Sequence, residues 1–258
     1  MSELIAVAVS GRGLVDPGSP VFGAADEALL RGAAAFETVR VNGGTPFLLD
    51  RHLDRLRRSA ERLGLPPVDE AGALVELVGE AAPPDHVLRL YRTDDVLVAT
   101  AASLPPGLDE ERARGMTLAA AESLASPLLD GVKSTSYAAA FAARRAADAD
   151  DVLFVADGIV RECATANVWW VRDGAVYTPA TGVGVLAGVT RSFLLEQQET
   201  LEGAFPLTDL AAADEAFTTS SIREVIPVVA LDGSPIGAGR PGPVAARLQA
   251  TIRLHSSQ

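Results

Sequence analysis

Two α+β domains are the fold class this sequence predicts. Three observations lead there. Strand-like and helix-like segments alternate along the chain, hairpin signals occur in both halves, and one Pro-Pro-Gly stretch running into a charge-dense segment breaks the pattern at residues 103–115. The expected division is 1–107 as a smaller N-terminal α/β domain, 108–115 as a linker, and 116–258 as a larger, β-rich C-terminal α/β domain that carries Lys133. A chain of 258 residues suits this, since domains usually run ~100–200 residues.

The first strand is expected over residues 4–9, LIAVAV. Residues 34–49 read as a hairpin: Phe36, Thr38 and Arg40 alternate with Glu37, Val39 and Val41, and Asn42-Gly43-Gly44 supplies the turn. Asp50 is expected to cap a helix in which Leu53, Leu56, Ala60 and Leu63 recur at helical spacing, until Gly64 and Pro66 stop it. A second amphipathic helix is expected over roughly 69–81, followed by paired strands at 87–93 and 96–102. Beyond the break come a strand (MTLAAAE), a loop holding Lys133, and a helix over 137–149. Three strand-like runs follow: DVLFVA, ANVWWVR and AVYTPA. A helix then opens near Thr190, a strand ends in the hydroxyls of DEAFTTSS, REVIPVVALDG follows, and a last helix begins near 242.

Composition narrows the function. With 48% hydrophobic and 22% charged residues, the chain affords a core large enough to bury a cofactor without disulfides or a structural metal. A net charge of −12 argues against nucleic-acid binding, which needs clustered Lys and Arg. One cysteine, Cys163, excludes an intrachain disulfide and suits a reducing compartment. No basic leader opens the sequence, and no stretch reaches the ~18–20 apolar residues of a membrane span, so a soluble cytoplasmic protein is expected. His52, His86 and His255 are scattered without metal-ligand spacing, so no metal site is expected. No GxSxG, Walker A or strand-borne GxGxxG pattern occurs.

One count carries chemistry. Lys133 is the single lysine among 22 basic residues, the other 21 being arginine. Arginine replaces lysine as a surface charge but not as a deprotonatable nucleophilic amine, so this lysine is a candidate for attack on carbonyls; the alternative is a solvated surface residue. Glu162, at a strand edge in IVRECATANVWW, is suited to keeping a pyridine nitrogen protonated, against a plain surface carboxylate. Gly188, Val189 and Thr190 at a helix start, with the hydroxyls of TTSS (218–221), form a candidate anion site, though such residues also cap helices for structural reasons. Arg55, on the first long helix, is a candidate charged donor for the same anion, its alternative being an exposed helix arginine.

FETVRV, HLDRLRRSAERL, KSTSY, DDVLFVADGIVRECATANVWWV, TPATGVGVLAGVTR and ADEAFTTSSIREVIPV occur in this order along nearly the whole chain. In these six segments the sequence resembles the class-IV aminotransferases, the fold-type IV pyridoxal 5'-phosphate (PLP) enzymes. These include branched-chain and D-amino-acid aminotransferases, R-selective amine transaminases and 4-amino-4-deoxychorismate lyase. The resemblance implies two α+β domains with PLP between them, in a homodimer. It implies that Lys133 forms the Schiff base and that Glu162 partners the pyridine nitrogen. Arg55, Gly188, Val189, Thr190, Ser220 and Ser221 are then phosphate contacts. Tyr137 is placed near the ring's phenolic oxygen, one residue closer to the lysine than in the branched-chain pattern. Thr38, which follows the glutamate of FETVRV, and Arg40, Arg89 and Arg92 are the candidates for binding substrate.

The implied reaction moves an amino group from a D-amino acid, a branched-chain amino acid or an R-amine to a 2-keto acid. The alternative is the lyase, which forms 4-aminobenzoate and pyruvate, and a non-catalytic PLP- or metabolite-binding homologue is the remaining one. RECATANVWW and Thr38 lean toward the lyase. Two departures from the family pattern leave the substrate open: a shortened segment between Thr93 and Val96, and Arg31-Gly32-Ala33 where GDG is common.

Overall fold

The computed structural model describes residues 3–123 and 126–256. The chain forms two compact units. One holds the chain up to Pro106 and takes back Val132–Tyr137; the other holds Gly107–Gly131 and Ala138–His255. The Lys133 segment therefore packs with the N-terminal unit, although it lies within the stretch 116–258. The reason is main-chain pairing, described below.

The first unit runs β1 (Leu4–Val9), β2 (Gly13–Val15), α1 (Glu27–Arg31), β3 (Ala35–Asn42), β4 (Thr45–Pro46), α2 (Leu49–Arg62), α3 (Ala71–Ala81), β5 (His86–Arg92) and β6 (Leu97–Ala102). Its strands make one antiparallel sheet in the order β2-β1-β6-β5-β3-β4. Strand alternation sends Ala35, Val39 and Val41 of β3, with Leu88 and Leu90 of β5, to the face that packs on Leu56 and Ala60 of α2 and Leu74 and Val78 of α3. The periodicity that predicts α2 is the side it buries. Its start differs from expectation: Leu48, at φ +51°, holds the N-cap position without a side-chain bond, and Asp50 lies inside the first turn. There its charge faces the positive end of the helix dipole rather than capping a particular N–H.

The second unit begins with α4 (Leu108–Arg114), which occupies the expected linker 108–115. Asp109, Glu110 and Glu111 fill its first turn, and Arg112 and Arg114 its last, so the charge run matches a helix dipole. Then follow β7 (Met116–Glu122), α5 (Ala138–Ala146), β8 (Asp151–Ala156), β9 (Ile159–Cys163), β10 (Asn167–Arg172) and β11 (Ala175–Pro179). The chain ends with α6 (Val189–Gln197), β12 (Leu201–Gly203), α7 (Leu207–Ala211), β13 (Glu215–Ser220), β14 (Glu224–Leu231), β15 (Ser234–Pro235) and α8 (Pro243–Ser256). The strands form a sheet in the order β12-β11-β10-β13-β14-β7-β8-β9, with β15 on β14. The pairs β11–β12, β14–β7 and β7–β8 are parallel, and the rest are antiparallel.

Asp157-Gly158, Asp173-Gly174 and Asp232-Gly233 have positive φ at both residues, as two-residue hairpin turns require. Trp169 and Trp170 point to opposite sides of β10 and are both fully buried, stacked on Phe217 and Tyr177 respectively. Among the described residues no helix is long and apolar enough to cross a membrane.

Candidate active site

Chemistry in the first unit starts from main-chain pairing. Ser134 bridges Ala35 in antiparallel fashion, the Phe36 N–H donates to the Lys133 carbonyl (3.0 Å), and the Thr135 N–H donates to the Ala34 carbonyl (2.9 Å). From α2, the buried Ser59 hydroxyl accepts the Lys133 N–H at 3.1 Å. The segment crosses close over Gly32, where a Cβ would lie 3.0 Å from the Ser136 Cα, and Gly32 also takes φ +68°, so no larger residue fits. With its backbone fixed on both sides, Lys133 sets Nζ 4.5 Å from the Phe36 ring centroid. Phe36 stacks on Tyr91 and meets Tyr137 edge-on, so the amine lies on an aromatic platform.

Beneath that strand, a polar group occupies a core position. Glu37 is fully buried, and Arg55 holds it with two bonds, Nε to Oε1 (2.7 Å) and Nη2 to Oε2 (2.8 Å). His52 Nδ1 lies 2.7 Å from Oε2. Burial alone would raise the Glu37 pKa, but the Arg55 guanidinium and the His52 bond outweigh it and hold the carboxyl at about 2. Burial pushes His52 the other way, below 6.5; its bond to Glu37 resists, and the charges of Arg55 and Lys133 push it further down. His52 Nε2 is buried without a hydrogen-bond partner. Arg55 is thus no exposed helix arginine but half of a buried, forked ion pair.

Strand alternation sorts the substrate candidates. Phe36, Thr38 and Arg40 of β3 face the same way, and register places Tyr91, Arg89 and Val87 of β5 opposite them. Arg89 stands one two-residue step, roughly 7 Å, from the Phe36–Tyr91 pair, and Arg40 two steps away. Arg40 Nε is engaged by Asn42 Oδ1 at 2.8 Å. Arg92 is the exception. Paired with Ala35, it lies on the other face, where Nε donates to the Pro66 carbonyl (3.0 Å). The structure separates it from Thr38, Arg40 and Arg89 because it is an odd number of residues from Arg89 along the strand.

In the second unit, Glu162 is the last residue but one of β9. Its Oε1 accepts the Leu186 N–H (3.0 Å) and its Oε2 accepts from Asn167 Nδ2 (3.0 Å). The same carboxylate lines a cavity of about 120 Å³ shared with Ser123, Asp130, Phe154, Arg161 and Gly184. Two residues beyond Leu186, Gly188 is the N-cap of α6, and Val189 and Thr190 form its first turn, whose N–H groups the helix leaves without intrahelical partners. Both Val189 and Thr190 are buried. Ser220 ends β13 and Ser221 opens the turn to β14, both half-buried. Cys163, next to Glu162, is buried, and burial pushes its thiol well above its ordinary pKa, so it supplies no thiolate.

Glu37, His52, Ser59 and Asn167 are the functional neighbours that sequence reasoning did not single out. A weak signal existed for two of them: His52 and Ser59 lie three and four residues from Arg55, on its own helix face. Within each unit, the donors present fit a part of PLP. In the first unit an amine suits an aldehyde; in the second a carboxylate with fixed donors suits a pyridine nitrogen, and a helix N-terminus with a buried threonine suits a phosphate.

Residues 34–231 match the family model for amino-transferase class IV. D-alanine aminotransferase of Bacillus licheniformis is 27% identical over 249 residues, covering 86% of this chain and 87% of that enzyme. Aminodeoxychorismate lyase of Bacillus subtilis is 29% identical over 237 residues, covering 80% of each. The PLP-bound form of a hypothetical aminotransferase from Mycobacterium tuberculosis superimposes with a TM-score of 0.87 at 25% identity, covering 96% of this chain and 97% of that one.

Proposed function

The chain belongs to the class IV aminotransferase family, whose members use PLP, and from that premise we propose that it is a PLP-dependent transaminase with Lys133 as its covalent anchor. The observation that carries this is the lysine: the only side-chain amine in the protein is fixed by its backbone on both sides and set on the Phe36 ring. When bound, PLP supplies an aldehyde that condenses with amines and a pyridine ring that draws electrons from the adjacent carbon.

The protein's own groups then have these roles. Lys133 would hold the cofactor, and its amine is the group that would carry a proton to and from the substrate α-carbon. Glu162 holds a proton on the pyridine nitrogen. The first turn of α6, through Gly188, Val189 and Thr190, binds the phosphate, with Ser220, Ser221 and Arg55 as further donors. Tyr137, against Phe36, would meet the ring's phenolic oxygen. Arg89 binds the substrate carboxylate, since it shares a face with Phe36 and is one strand step away. Thr38 supports it from the opposite strand, and Arg40, tied to Asn42, serves a more distant part of the substrate. The donor is a D-amino acid, a branched-chain amino acid or an R-amine, and the acceptor a 2-keto acid. Family membership supports a homodimer, and the lone buried cysteine supports a reducing, cytoplasmic setting.

Two observations favour a second reading, the lyase that splits 4-amino-4-deoxychorismate into 4-aminobenzoate and pyruvate: Thr38 shares its sheet face with Phe36, and the lyase of Bacillus subtilis is as similar to this chain as the aminotransferases are. A spectrophotometric half-reaction separates the two. PLP-loaded protein is mixed with excess D-amino acids, L-amino acids and R-amines in turn. Conversion of the yellow cofactor to its pyridoxamine form by any donor establishes the transaminase and its chirality. A band unchanged across the panel, with pyruvate released from aminodeoxychorismate, establishes the lyase.

A further inference from the structure

We propose that Asn167 is a positioning residue that acts through Glu162, holding its carboxylate in the single orientation that meets the cofactor nitrogen. This rests on the reading of Glu162 given above. β9 and β10 are joined by a tight connection in which the Cys163 N–H donates to the Ala166 carbonyl (2.8 Å), and that turn brings Asn167 back beside Glu162. The Asn167 side-chain nitrogen spends both hydrogens there, one on Glu162 Oε2 (3.0 Å) and one on the Leu186 carbonyl (2.9 Å). The Leu186 N–H, from the other side of the same residue, binds Glu162 Oε1 (3.0 Å).

Glu162, Asn167 and Leu186 thus close a ring of three hydrogen bonds, and turning the carboxylate breaks two of them. Two acceptors facing the Asn167 nitrogen also fix which way its amide points, because a flipped amide would set its oxygen against both. That oxygen lies against Gly188: a Cβ on Gly188 would come within 2.1 Å of it. The space beside the fixed amide oxygen therefore admits only glycine at the N-cap of α6. The requirement is specific. A donor with two hydrogens and no charge is needed, since aspartate would set a second negative charge beside Glu162 and leucine donates nothing.

The test titrates the full-length, cofactor-stripped protein with PLP and with 1-deaza-PLP, which lacks the ring nitrogen, following tryptophan fluorescence. Wild type, Asn167→Leu, Glu162→Gln and the double variant are compared. The expected result is a loss of about 10-fold or more in PLP affinity in Asn167→Leu, from a lost bond to a charged group. Binding of the deaza analogue stays within about 3-fold, and no additional loss appears in the Glu162→Gln background. Equal losses for both cofactors, or a full further loss in the double variant, would overturn the proposal and show a structural role alone. An unchanged preference for PLP over its deaza analogue in Glu162→Gln would refute the reading of Glu162 itself, and the proposal with it.

Asn167→Asp, which keeps the side chain's shape, serves where leucine does not fold. Its added charge raises the Glu162 pKa, so PLP affinity falls off at a higher pH than in wild type. An acid limb that does not move contradicts the role.

Discussion

Glu37 is the residue whose placement is most demanding. It stands at a core position of β3, and its charge is tolerated because Arg55 binds both its oxygens and His52 a third site. Glu37→Leu leaves Arg55 buried without its counter-charge and should lower stability by about 3–5 kcal/mol in denaturant titrations. The pH dependence has a fixed sign. Glu37 and His52 both have folded pKa values below their ordinary values of 4.5 and 6.5, so on acidification the unfolded chain takes up each proton first. The contribution of these two groups to stability is therefore full above pH 6.5, declines below it as His52 becomes protonated in the unfolded state, and declines again from 4.5 toward 2 through Glu37. In His52→Gln the first decline should vanish from the melting temperature measured between pH 7 and 5, while the second remains.

At the scale of elements, α6 carries the sharpest consequence. Its N-cap is Gly188, and Gly188→Ala drives a methyl into the Asn167 amide. A loss of about 1–3 kcal/mol in stability is expected, with weaker PLP binding. Thr190→Ala should leave the fold unchanged and weaken PLP by about 1.5–3 kcal/mol, the worth of a hydrogen bond to a charged group, read as an increased dissociation constant. An unaltered constant would remove Thr190 from the phosphate site. Elements with strong local signals were legible in the sequence. The Leu53, Leu56 and Ala60 stripe identified α2, and alternation identified β3. The residues 108–114 were not legible as α4, because Pro-Pro-Gly beside a charge run reads as a linker unless the order of the charges is weighed against the helix dipole. Arg92, three residues from Arg89 in β5, falls on the opposite face by strand alternation, and register against Ala35 agrees.

For the whole molecule, the division of labour follows from how the chain is shared. The lysine segment returns to the first unit, while Glu162 and the start of α6 belong to the second. Sequence order alone assigns residues 132–137 to their neighbours in the chain; only long-range pairing with β3 assigns them otherwise. That pairing uses the backbone of Lys133, so Lys133→Ala should fold with a melting temperature within a few degrees of wild type and yet lose the cofactor's visible band.

The single lysine makes the decisive measurement clean. PLP-loaded protein is reduced with borohydride, digested, and its peptides are mapped by mass spectrometry. The expected result is one pyridoxyl adduct, on the peptide containing Lys133, and none on a side chain of the reduced Lys133→Ala protein. An absent adduct in wild type, or attachment only at the terminal amine, would contradict it.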